Sequence, residues 1–322
     1  MTTTPPARRE TFHVELRPVV GSRFQPTGFP DIGAAVYDRP MGDGTWRQDL
    51  LVESAQSMAN HLEATCWDRG RQDQVPELEG LPYARVVDPA GQYLTSSRTE
   101  AHRLASAFVK DSTLDGRIMT EVIRDRLQLQ DDRPVSPLAI AAAVLAMDPL
   151  TLIHGVFFAE KASVWPGQPR IARVTTALVE AHDVRPVVSG GVKRDDVRHT
   201  VAEGGGSAEG YGSIPFHRTE YVASTIKAGF SIDHAQIAAY GLPEPATHLL
   251  ATLARWEVRA LLDSGMRLRT ACDLEVVGEI PLPALADLTA ELRGAVAASA
   301  EHLGPREPWD VIWGGSTRRK KA

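Results

Sequence analysis

Two kinds of periodicity take turns along this chain of 322 residues, and their order restricts the fold more than any single motif does. Residues 11–20, TFHVELRPVV, set Phe12, Val14 and Leu16 against His13, Glu15 and Arg17, the alternation of a half-buried strand. In LLVESAQSMANHLEATCW the apolar positions become helical. Leu51, Ala55, Met58, Leu62 and Cys66 share one stripe, with Glu53, Gln56, Ser57, Asn60 and Glu63 opposite. RIARVTTALVEAHDV (170–184) and TEYVASTIKAGFSID (219–233) read as two long strands. PEPATHLLATLARWEVRALLDSG follows as a helix stopped by Gly265. Last comes MRLRTACDLEVV, with Met266, Leu268, Cys272, Leu274 and Val276 interleaved among Arg267, Arg269, Asp273 and Glu275.

The order β, α, β, β, α, β predicts an α+β domain of the ferredoxin-like kind, an order shared with RRM sheets that bind RNA. The intervening block, about 70–150, reads as an insertion with its own helices. A hairpin turned by Asp88–Gly91 opens it. Helical patterns follow near 98–108 (capped by Ser97 and Glu100), 116–129 and 137–147, the last begun by Ser136-Pro137. A second departure is GGVKRDDVRHTVAEGGGSAEGYGSIPFHR, between the two long strands. It is too glycine-rich to carry a core, and a loop of that length inside a domain is usually functional or disordered. A superfold hosts many activities, so the chemistry has to come from side chains.

Several enzyme classes find no support. The chain contains no HExxH, GxSxG or GxxxxGK[ST] pattern, and the glycine run 204–212 does not fit GxGxxG. Its ten histidines are scattered, and Cys66 and Cys272 lack the CxxC spacing of a metal site. No cofactor or metal is therefore expected. The N-terminal MTTTPPARRE has no apolar core of a signal peptide, and no stretch approaches the roughly eighteen apolar residues of a membrane span, so the expected location is the cytoplasm. A net charge of −6 argues against indiscriminate nucleic-acid binding, although clustering rather than the sum decides a local groove.

One stretch is rich in binding chemistry. GSRFQPTGFPDIGAA (21–35) leaves the first strand carrying one arginine, two phenylalanines and two prolines. Arg23 can fork onto a phosphate, while Ser22, Gln25 and Thr27 can donate to backbone oxygens. Phe24 or Phe29 can stack on bases or pin the loop to the core. Pro26 and Pro30 lower the entropy of holding such a loop still. The polar face Gln56, Ser57 and Asn60 lies on the helix that comes next. In the glycine-rich loop, Lys193, Arg194, Arg198, His217 and Arg218 occur with Tyr211 and Phe216, nearly balanced by Asp195, Asp196, Glu203 and Glu209. That combination suits a clamp over a strand or a contact between copies.

Four blocks, LRPVVGSRFQPTGFPDIGAAVYDRP, LLVESAQSMANHLEATCWD, GYGSIPFHRTEY and MRLRTACDL, resemble the RAMP-superfamily backbone subunit of type I-G (formerly type I-U) CRISPR interference complexes. The resemblance implies an RRM-like palm (1–69 and 151–322), a helical fingers insertion (70–150) and a thumb loop at about 189–218. It implies a non-catalytic antiviral subunit that polymerises along a CRISPR RNA and presents it for pairing with target DNA. Further copies of the chain, a large subunit and a fused repeat-processing subunit would be its partners, with a separate helicase-nuclease cutting the DNA. Ser22, Arg23, Gln25 and Thr27 would hold the guide backbone, with Ser57 and Asn60 beside them and Lys193, His217 and Arg218 on the thumb side. His61 stands where the family's pattern has arginine. The alternatives are a metal-dependent ribonuclease that cuts guide-paired RNA through Asp31, and a free-standing single-strand RNA-binding protein.

Overall fold

The structure, a computed structural model, describes residues 8–28, 33–161, 163–193 and 214–315. Strand β1 (Glu10–Pro18) realises the first alternation: Val14 and Leu16 are buried while His13, Glu15 and Arg17 face out. The next segment departs from expectation. Residues 35–53, where the alternation signals no strand and the helical stripe is expected from Leu51, form a hairpin of β2 (Ala35–Pro40) and β3 (Trp46–Glu53), paired from Ala35↔Leu51 to Pro40↔Trp46. Its turn has the chemistry such a turn needs. Met41 N–H donates to the Thr45 carbonyl, Asp43 accepts from Thr45, and Gly44 supplies a positive φ of 83°. Helix α1 (Ala55–Ala64) therefore starts four residues later than the periodicity suggested, capped by the Ser54 hydroxyl accepting from Ser57 N–H.

The two long strands also differ from the single runs expected of them. Of the run 170–184, residues 175–182 form β4 (Thr175–His182), and a further strand β5 (Arg185–Lys193) begins just beyond the run; at the same level the run 219–233 breaks between β6 (Ile214–Val222) and β7 (Thr225–Ile232). Asp183 takes a φ of 53°, which a short polar side chain tolerates, and Ser224 N–H bonds the His182 carbonyl across the break. Beyond the break β5 and β6 form a separate two-stranded ladder, Arg185↔Val222 through Lys193↔Ile214. So the outer parts of the expected thumb loop, 189–193 and 214–218, are strand; 194–213 lie outside the described residues.

Helix α2 (Glu244–Ser264) ends at Gly265, whose φ of 84° turns the chain into β8 (Met266–Arg269). The expected single strand at 266–277 is instead a hairpin of β8 with β9 (Cys272–Val277). The main sheet has seven strands in the order β8-β9-β1-β7-β4-β3-β2, with every neighbouring pair antiparallel. The four strand regions legible from alternation lie in the spatial order fourth, first, third, second. Val14, Leu16, Ala177, Val179, Ile226, Ala228 and Phe230 point to one face. There they meet Met58 and Leu62 of α1 and Val258, Leu261 and Leu262 of α2. The other face stays open.

The block 70–150 is less independent than the sequence implied. Its five-stranded sheet runs Tyr93–Ser96, Ala84–Val87, Trp309–Ile312, Thr113–Leu114 and Arg117–Ile118. A C-terminal segment assigned to the palm is thus the middle strand here, parallel to Ala84–Val87. Leu249, Leu250, Leu253 and Trp256 of α2 join the same core as Leu104, Ile123, Leu145 and Val311. The turn at Asp88–Gly91 and the helices Met119–Arg126 and Pro137–Met147 fall where expected. The helix expected at 98–108 is replaced by turns and the short helix Ala107–Lys110. Ser97 donates to Asp148 at 2.6 Å, and Glu100 accepts from Thr95 and Ser106 instead of closing a capping box.

Candidate functional site

The exit from β1 is fastened to three parts of the fold through its backbone. Phe24 N–H donates to the Tyr221 carbonyl at 3.0 Å and Tyr221 N–H returns the bond at 2.8 Å, one rung of pairing onto β6. Gln25 N–H reaches the Ala271 carbonyl in the β8–β9 turn at 2.7 Å, and Thr27 N–H reaches Val52 in β3 at 3.0 Å. Pro26, buried between them, has no N–H to orphan. This local extended conformation alternates its side chains. Phe24 points inward at 1% exposure, among Leu16, Val52 and Tyr221, while Arg23 faces out. Phe24 is therefore a core anchor, and the expectation that it stacks on a base is corrected by its burial.

A recess of about 510 Å³ opens beside this loop, lined among others by Gln25, Thr27, His217, Arg218, Tyr221 and Arg269. Arg218 and Arg269 line it, and Arg23 is linked to Arg218 through Glu220. Arg218 lies 2.8 Å and Arg23 3.3 Å from opposite oxygens of Glu220, a carboxylate only 4% exposed, while Arg269 donates to the Pro26 carbonyl at 3.2 Å. Glu220 thus joins the strand exit to the β5–β6 hairpin and holds two guanidiniums on one side without burying either. Three guanidiniums against two carboxylates, Glu220 and the buried Glu53 that Thr27 contacts, leave a net positive, partly solvated surface suited to anionic oxygens.

The remaining expected residues divide. Ser22 is exposed at the loop's start and His217 lines the recess. The Thr27 hydroxyl is engaged inside the fold, 2.8 Å from the Val52 carbonyl and 2.9 Å from Glu53, so it positions the loop. Ser57 sits beside the same buried Glu53. Asn60 lies elsewhere, exposed on a recess with Trp67, Arg69 and Arg98. Lys193 ends β5 opposite Ile214. Phe29, Tyr211 and Asp31 fall outside the described residues. His61 does not replace a cation at the recess: its Nε2 is 3.5 Å from Glu53. Burial raises the Glu53 pKa, but its neighbours His61, Ser57 and Thr27 outweigh that and hold it below the ordinary carboxylate value.

Sequence reasoning missed Arg269, Glu220 and Glu53 as site residues. Arg269 sits in MRLRTACDL on the polar phase of the alternation, which was a usable signal. Glu220 and Glu53 become informative only once three distant segments meet.

Two other features bear on chemistry. The open face of the sheet presents His13, Glu15 and Arg17 on β1 and Lys227, Gly229 and Ser231 on β7, where the His13 imidazole lies beside Gly229. An RRM stacks bases on aromatic side chains of its central strands, and this face of the two strands carries no Phe, Tyr or Trp for that role. Cys66, His154 and Glu257 do converge, with Cys66 Sγ and His154 Nε2 at 3.2 and 2.9 Å from the same Glu257 oxygen, but all are at most 1% exposed. Burial, reinforced by Glu257, pushes the thiol well up, so it is held protonated away from water. Among the described residues no group of three His, Cys, Asp or Glu side chains is arranged to hold a metal, and no helix is long and apolar enough to cross a membrane.

Fold and site define a mixed α+β protein with a curled antiparallel sheet and a cationic recess at the exit of its first strand. A family model described as CRISPR-associated protein GSU0053 matches residues 11–186, more than half of the chain and all of the strand exit. The chain belongs to this CRISPR-associated family. No curated protein matches it in sequence. Among solved structures, it is similar to a chain of a "CRISPR RNA-guided surveillance complex, pre-nicking", at 14% identity and a TM-score of 0.37, covering 85% of this chain and 77% of that one. A likeness of that degree says nothing about function.

Proposed function

We propose that the chain is a non-catalytic backbone subunit of a type I-G CRISPR interference complex, of the RAMP superfamily, that holds the guide RNA by its sugar-phosphate chain and leaves the bases free to pair with target DNA. The observation that carries this reading is the meeting of Arg218 and Arg269 on one recess, with Arg23 linked to Arg218 through Glu220, beside a loop fastened by its backbone. The spatial order of the four alternating strands and the two helices on one face support a ferredoxin-like palm, with the β5–β6 hairpin as thumb and the second sheet as fingers. The lack of Phe, Tyr or Trp on the open face of β1 and β7 favours backbone contact over base stacking there, as befits a protein that delegates sequence reading to base pairing.

An acidic chain can work this way because repetition multiplies modest affinity. Head-to-tail copies grow an open helical filament, and each adds its few cations along the same strand. The large subunit, the fused repeat-processing subunit and a recruited helicase-nuclease complete the assembly in the cytoplasm, and cleavage belongs to the last of these. The test is Arg23→Ala combined with Arg218→Ala in the full chain. Guide affinity falls, and the slope of log affinity on log salt becomes shallower by roughly 0.7 for each phosphate that is no longer neutralised. Unchanged affinity with an unchanged slope overturns the assignment.

A further inference from the structure

A second hollow, of about 570 Å³, opens where the short strands Val156–Phe157 and Arg170–Ile171 pair, with Phe157 directly opposite Arg170. Arg103, Arg170, Arg173, Phe157 and Gln236 border it. Its three arginines are not equivalent. Arg103 is buried and fully engaged, bidentate to Glu63 at 2.6 and 2.8 Å and bonded to the Gly155 carbonyl at 2.9 Å. Arg173 is half-buried, and its one hydrogen bond goes to the Ala55 carbonyl at 3.2 Å. Arg170 is exposed. Among the described residues neither Arg170 nor Arg173 has a carboxylate within ion-pair distance.

This arrangement is costly as it stands. A guanidinium does not give up its proton under ordinary conditions, so a half-desolvated one with a single carbonyl partner and no paired carboxylate regains little of the hydration it loses. Burial first, and then the neighbouring Arg103 charge, lower the Arg173 pKa by more than Glu63 raises it, the direction expected of a cation short of counter-charge. Beside it Phe157 is 50% exposed. A single exposed ring is unremarkable. A ring paired across two strands with one free guanidinium, and sharing a hollow with another, matches a nucleotide: forks for the phosphodiester and a flat apolar face for the base. A simple anion would leave the ring unexplained.

The hollow and the strand-exit recess have no lining residue in common, but each is tied to the same short segment of chain. Arg173 bonds Ala55, and two residues earlier Glu53 accepts from Thr27, so both sites flank the single junction between β3 and α1. We infer that Arg170, Arg173 and Phe157 form a second nucleotide subsite, binding a phosphodiester and a base of the same single strand that passes the strand-exit recess. This rests on the proposed function.

The test uses the full chain and fluorescein-labelled single-stranded polyuridylate, titrated across a salt series. Arg170→Ala, at an exposed position that leaves the core intact, should reduce the salt slope by roughly 0.7, and the double variant with Arg173→Ala by roughly 1.4. Phe157→Ala should weaken binding about fivefold or more at constant slope. If Arg23→Ala with Arg218→Ala changes the slope while Arg170→Ala and Phe157→Ala change nothing, the second subsite is wrong and the proposed function stands. If neither set changes binding, both fall. Should the double variant unfold, Arg170→Ala and Phe157→Ala decide the matter alone.

Discussion

Single residues at the strand exit carry their information in which way they point. Arg23 and Phe24 are neighbours with opposite duties, one facing solvent and the other sealed, and the composition of GSRFQPTGFPDIGAA could not tell them apart. That loop was legible as a binding element because it combined an arginine, rings and prolines; the phase of its alternation was not, because Tyr221, which sets it, lies about two hundred residues away. Phe24→Ala should cost about 3–5 kcal/mol in urea unfolding, whereas Phe24→Leu should cost far less and leave guide affinity unchanged. Carboxylates and one histidine set the pH limits of stability. Glu53 and Asp49 are both held below their ordinary values, Asp49 because hydrogen bonds from Arg39, His182 and the Asp183 N–H outweigh its burial. Their contribution is present above the ordinary carboxylate range and is lost as pH falls through the lowered values, so Asp49→Asn should flatten the acid limb of Tm against pH. His154 has the opposite sign. Burial lowers its pKa but Glu257 and Glu63 outweigh that and raise it, so its stabilisation is complete below about pH 6.5 and fades as pH rises through the raised value. His154→Gln should remove that alkaline decline.

Elements were legible where a period ran long and lost where a hairpin was short. α2, with an apolar stripe over 21 residues and a glycine stop, was placed within a residue of where it lies. The β2–β3 hairpin was missed because Pro40 and the charged run Asp38-Arg39 disguised its first strand; that strand is the outer edge of the sheet, where proline and charge are tolerated. The separateness of the 70–150 block was misjudged for a physical reason too. Local periodicity shows which face of a helix is apolar but not what covers it, and here α2 and the strand Trp309–Ile312 do the covering. Because α2 contributes to both cores, Leu253→Ala should destabilise the whole chain by about 2–5 kcal/mol in one cooperative transition. A fragment of residues 70–150 alone, deprived of its middle strand, should show no cooperative melting by circular dichroism; a cooperative transition in that fragment would show that the block folds by itself.

At the scale of the whole molecule, the distribution of charge matters more than its sum. The chain carries −6 overall, yet cations cluster at the strand exit, and the open face of its central strands mixes both signs without Phe, Tyr or Trp. Under the proposed function, such a surface would grip a polymer weakly per copy and tightly in an array, as a filament whose cargo is read by pairing requires. The most direct test is a cryo-EM reconstruction of the guide-loaded complex assembled from the full chain. The account predicts guide phosphates within hydrogen-bond distance of Arg23, Arg218 and Arg269, one strand running past the β3–α1 junction of every copy. RNA laid across His13, Glu15 and Lys227 of the open sheet face, with the strand-exit recess empty, would contradict it.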